Sequence, residues 1–86
     1  MRVLLFAQVR EIVGAEALEI TLESNQVTPR EVRAKVLEAT GGDQSLRALL
    51  DRSMVAIDNE YAMNAEQPFS VSESSEVAII PPVSGG

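Results

Sequence analysis

Glu76-Val77-Ala78-Ile79-Ile80-Pro81-Pro82 is a run of small and β-branched apolar residues stopped by a diproline, and its reading sets the architecture. Val, Ile and Ile fit a pleated strand, whereas two consecutive prolines supply no ladder N–H and favour an extended polyproline path. A five-residue run with one charge at its start predicts a strand buried on both faces, hence central in its sheet. At the other end of the chain, Val3-Leu4-Leu5-Phe6-Ala7 has the same character and ends near Gln8. Two such strands lie side by side in the middle of one sheet. They run parallel, because the helical segment between them provides the crossover that parallel neighbours need.

The intervening residues fill in the rest. Val9 to Gly14 allows one helical turn closed by Gly14, and Glu16 to Glu23 then alternates, with Leu18, Ile20 and Leu22 turned to the core. The first two strands thus form a hairpin with a long connection. After a polar turn at Ser24-Asn25-Gln26, Thr28-Pro29-Arg30-Glu31 is a helix start. Thr28 caps it, Pro29 occupies the first helical position, and Glu31 completes a capping box. Val32, Val36 and Leu37 mark its inner face, Arg33, Lys35 and Glu38 its outer one, and Gly41-Gly42 its end. Asp43 caps a minor helix carrying Leu46, Leu49 and Leu50 that closes near Asp51. Met54 to Ile57, a tight turn at Asp58-Asn59-Glu60, and Tyr61-Ala62-Met63 read as a second hairpin.

This order resembles the ubiquitin-like β-grasp: an α+β domain over residues 1–81, its mixed sheet packed against one main helix, with a flexible Gly-Gly tail over 82–86. The 86 residues leave room for a single core. The chain has no Cys and no His, which removes disulfides, thiolate zinc sites, a cysteine nucleophile and the commonest general base. A self-sufficient enzyme is disfavoured, no metal or cofactor is expected on the chain, and Lys35 reads as a solvated helix residue. Arg10-Glu11 reads as a surface pair without a role. Seven Lys and Arg against thirteen Asp and Glu give a net charge of −6, which argues against nucleic acid. From Ser53 onward there is no Lys or Arg but five acidic residues, a half that suits a basic partner or plain solvation equally. Neither a signal-peptide core nor an apolar run of membrane-spanning length is present, so the expectation is a cytoplasmic protein off the membrane.

Val83-Ser84-Gly85-Gly86 follows the diproline with one modest side chain. Four extended residues reach roughly 13–14 Å, enough to thread a narrow channel, and glycines pass where a Cβ would collide. What arrives is a carboxylate, which reacts only after it gains a leaving group. Gly41-Gly42 lacks the spacing and lysine of a phosphate-binding loop, so activation has to come from an ATP-using partner.

Val3 to Gly14 (Val-Leu-Leu-Phe-Ala-Gln-Val-Arg-Glu-Ile-Val-Gly) and Glu76 to Gly86 closely resemble the opening and closing motifs of the MoaD-like sulfur carriers, the small subunits of molybdopterin synthase. Ser74-Ser75 departs from the Gly-Asp that this family often has before its last strand. The resemblance implies that Gly86 is adenylated by a ubiquitin-activating-like adenylyltransferase, which uses ATP, and is then converted to a thiocarboxylate. The tail, Pro81, Pro82, Val83, Ser84 and Gly85, would then enter the large subunit of the synthase, and sulfur would pass to cyclic pyranopterin monophosphate in a heterotetramer. Phe6 and Ile80 are either core residues or part of the surface that docks the large subunit. Two relatives of this chemistry stand as alternatives, a ubiquitin-like modifier conjugated through Gly86 and a thiamine-pathway sulfur carrier. A plain binding module with an incidental tail is a third.

Overall fold

A computed structural model describes residues 1–82. Five strands form the main sheet: β1 (Arg2–Leu5), β2 (Ala17–Glu19), β4 (Met54–Ile57), β5 (Glu60–Ala62) and β7 (Glu76–Ile80), in the order β2-β1-β7-β4-β5. A two-stranded ribbon pairs β3 (Gln26–Val27) with β6 (Phe69–Ser70). The helices are α1 (Ala7–Val13), α2 (Pro29–Ala39) and α3 (Gln44–Arg52). As expected from their composition, β1 and β7 are central neighbours and parallel, with Leu5 opposite Ile79; every other pairing is antiparallel. The architecture is the ubiquitin-like β-grasp.

Strand alternation sends Val3, Leu5, Val55, Ile57, Val77 and Ile79 to one face, each at most 3% exposed. Val9 of α1, Val32 and Val36 of α2, and Leu46, Leu49 and Leu50 of α3 close over them in one cluster. Ile20 joins the core just past β2, its N–H bonded to the Met1 carbonyl, while Leu18 and Leu22 pack partly buried against it.

The helix ends behave as their residues dictate. The Thr28 hydroxyl accepts from the Glu31 N–H at 3.2 Å and the Glu31 carboxylate accepts from the Thr28 N–H at 3.0 Å, a complete capping box with Pro29 in the first turn. At the far end of α2 the Gly42 N–H reaches the Leu37 carbonyl at 2.9 Å, with Gly41 and Gly42 both at positive φ, the geometry of a Schellman close. Asp43 Oδ1 accepts from the Ser45 and Leu46 N–H groups and so caps α3.

Several expectations are corrected. The first strand stops at Leu5, and Phe6 and Ala7 do not extend it. Ala7 takes φ 49°, a left-handed turn that breaks the strand and starts α1 at once, making two turns of helix where one was expected. The alternating segment after Glu16 is β-structure only to Glu19. Gln26 belongs to β3 rather than to a turn, and the β3–β6 ribbon was not anticipated; two-residue strands are too short to show a period. Arg33 is not an outward residue. It is half-buried and donates from Nε to the Leu50 carbonyl at 3.0 Å and from Nη2 to the Ser53 carbonyl at 2.9 Å, tying down the C-terminal end of α3. Arg10 faces Glu16 at 3.8 Å rather than Glu11. Lastly, β1 and β7 are buried on one face only: Leu4, Ala78 and Ile80 are half-buried on the other.

Candidate functional site

The face of the sheet turned away from the helices is built row by row from the strand register. One end is charged: Arg2 stands between Glu19 of β2 and Glu76 of β7. The next outward row runs Ala17, Leu4, Ala78, Ala56, Tyr61 across all five strands and carries no charge. Two adjacent alanines in that row, Ala78 and Ala56, leave a flat strip flanked by Leu4 and Tyr61. The third row pairs Ile80 with Met54. Phe6 is still extended (φ −127°, ψ 155°), so it points opposite to Leu5 and joins this face beside Ile80.

Among the described residues, four of the five large apolar side chains that remain exposed belong to this side: Phe6 at 43%, Met54 at 40%, Tyr61 at 57% and Met63, the residue after β5, at 81%. Exposed apolar side chains gathered on one face of a small domain make that face a candidate interaction site. Its register is pinned at the charged end. Asp58 and Asn59 both have positive φ (48° and 70°), as a two-residue type I′ hairpin turn requires. The Asp58 N–H donates to the Glu76 carbonyl at 2.8 Å, and its Oδ1 accepts from the Glu76 N–H at 2.9 Å. The turn before β7 is closed by the serines that stand where the resembling family often has Gly-Asp: Ser75 Oγ accepts from the Ser72 N–H at 2.8 Å, and the Ser75 N–H donates to the Ser72 carbonyl at 3.0 Å.

The chain leaves the sheet from the apolar end. Ile80 is the last residue of β7; Pro81 is buried against the body and Pro82 is exposed. Pro81 is therefore packed with the domain rather than free to project, which shortens the segment expected to reach outward. Val83, Ser84, Gly85 and Gly86 lie outside the described residues. Phe6 and Ile80, which the sequence left between core and surface, are both outside the core cluster. Leu4, Ala78, Met54 and Tyr61 were missed as surface candidates, and Ala56, in the same row as Leu4 and Ala78, is buried between its neighbours. The available signal was material balance: few helices are predicted, and they cannot cover both faces of a sheet this wide.

A family model described as the ThiS family matches residues 3–86. This chain belongs to the ThiS family. Among its curated relatives, the protein named molybdopterin synthase sulfur carrier subunit in Dictyostelium discoideum is 32% identical over 99% of this chain and 94% of its own length. The protein of the same name in Escherichia coli (strain K12) is 34% identical over 100% of this chain and 99% of its own. Two solved structures share the fold. SAMP1 from Haloferax volcanii superposes with a TM-score of 0.75 at 24% identity, over 100% of this chain and 98% of that one. Subunits 1 and 2 of the molybdopterin-converting factor from Helicobacter pylori 26695 were solved as a complex, one chain of which gives a TM-score of 0.56 at 21% identity, over 99% of this chain and 96% of that one. The apolar outer face of the sheet ends at Ile80, the last residue of β7 before Pro81 and Pro82.

Proposed function

We propose that this chain is the sulfur carrier subunit of a molybdopterin synthase. The observation that carries the reading is the end-to-end match, through residue 86, to relatives that bear that name. The geometry supports it, because the apolar outer face and the root of the tail meet at Ile80. In this reading Phe6, Leu4, Ala78, Ile80 and Met54 dock the large subunit of the synthase, and Pro82 to Ser84 carry Gly85 and Gly86 into its active site. The chain itself binds no cofactor. A ubiquitin-activating-like adenylyltransferase converts the Gly86 carboxylate and ATP to an acyl-adenylate and pyrophosphate. A sulfide equivalent then displaces AMP to leave the thiocarboxylate. On the large subunit, sulfur passes to cyclic pyranopterin monophosphate, and Gly86 returns to a carboxylate with an oxygen from water. The domain over 1–81 positions this end without taking part in bond making, and we place the chain in the cytoplasm with its activating enzyme.

Intact mass after incubation with ATP, an activating enzyme and a sulfur donor tests the reading. Sulfur for oxygen adds about 16 mass units, nearly the same as oxidation of a methionine, and the chain has three methionines. Cleavage after Glu76 removes the ambiguity, because residues 77–86 contain neither Met nor Cys. The gain is expected in that fragment, and deletion of Gly86 abolishes it while thermal stability stays unchanged. An unmodified fragment in the presence of a demonstrably active enzyme refutes the sulfur-carrier reading.

A further inference from the structure

The cations of this acidic chain are segregated. Five of its seven Lys and Arg lie between Arg30 and Arg52, against four acidic residues there, so this stretch carries +1 in a chain of −6. Three of them, Arg30, Arg33 and Arg47, line a groove of about 360 Å³ between α2 and α3, with Ala34, Leu37 and Leu50 on its walls. The guanidiniums are in different states. Arg30 is ion-paired with Glu66. Arg33 is held by the Leu50 and Ser53 carbonyls. Arg47 has no side-chain hydrogen bond or ion pair among the described residues, although Asp51 shares the groove with it.

The groove sits at the functional end of the molecule. Arg33 bonds to Ser53, the next residue is Met54, and Met54 pairs with Ile80, where the chain departs. Whatever fills the groove lies beside the root of the tail, on the helical side and not on the apolar sheet face.

We propose that this groove docks a short acidic peptide segment with interleaved apolar side chains, carried by the protein that receives the tail; only the identity of that bearer rests on the sulfur-carrier reading. Arg47 grips a carboxylate through two parallel N–H bonds, Arg33 adds charge at no orientational cost, and Leu37, Leu50 and Ala34 accept the aliphatic residues. The chain's net charge repels long polyanions, whereas a segment with two or three carboxylates meets a local excess of positive charge.

The test is an amide and arginine side-chain NMR titration of the full chain with a blocked hexapeptide alternating leucine and glutamate. The same peptide with lysine in place of glutamate, and tripolyphosphate, serve as comparisons. Saturable shifts at Ala34, Leu37, Arg47 and Leu50 with the acidic peptide alone are expected, weakened about tenfold in Arg47→Glu and weakened again by salt. Arg47→Gln preserves size, and an unchanged amide spectrum in either variant shows that the fold is kept. Shifts confined to the sheet face, no saturation, or an equal response to tripolyphosphate overturn the proposal. Gly86 takes no part in this measurement, so its failure is separate from failure of the carrier chemistry.

Discussion

Ile79 and Ile80 are neighbours in one strand with the same side chain, and their truncation separates the two faces of the sheet. Ile79 is 0% exposed within the core cluster. Ile79→Ala removes three carbons and leaves a cavity that its cross-strand neighbours Val55 and Leu5 and the helix residues cannot fill, a loss of about 2–5 kcal/mol. At roughly 4–8 °C per kcal/mol for a domain of this size, a 3 kcal/mol loss lowers Tm by about 12–24 °C. Ile80 is half-buried on the outer face, so solvent occupies the vacated space and no cavity term arises. Ile80→Ala then costs only about 1 kcal/mol, from the half of its transfer free energy that burial contributes. Binding reverses the order. Ile80→Ala weakens association with a large subunit about tenfold, as truncation of a central apolar contact does, whereas Ile79→Ala, measured well below its own Tm, leaves it within about twofold. Thermal unfolding by circular dichroism and titration calorimetry of both variants provide the readouts. Equal destabilisation by the two substitutions refutes the face assignment, and undiminished binding of Ile80→Ala refutes the outer face as the docking surface.

Thr28→Ala removes the hydroxyl that accepts from the Glu31 N–H and lowers stability by about 1 kcal/mol in denaturant titration, while Thr28→Ser restores most of it. Asn59→Val forces a β-branched residue into the left-handed position of the hairpin turn, costing about 1–2 kcal/mol, and Asn59→Gly is tolerated. Arg33→Ala frees the Leu50 and Ser53 carbonyls at the end of α3 and costs about 1–3 kcal/mol. Arg33→Lys recovers little, because an ammonium lacks the planar fork that reaches both oxygens.

Local chemistry was enough for much of this protein. The capping box at Thr28, the glycine close of α2, the Asp43 cap and a tight turn beginning at Asp58 follow from residue types at short spacing, because each depends on conformational limits or on hydrogen bonds within a few residues; the central parallel pair followed instead from the apolar composition of the two strands and the helical crossover between them. The tail motif likewise led to a sulfur-carrier resemblance, and the family match agrees with it. Tertiary structure decided the rest. Composition could not distinguish a strand buried twice from one whose outer side stays apolar but uncovered, since both read as Leu, Ala and Ile; the placement of the described helices on one face separates the two. The β3–β6 ribbon, the packing of Pro81 and the reach of Arg33 to Ser53 all depend on residues far apart in the chain, and no local pattern encodes such contacts.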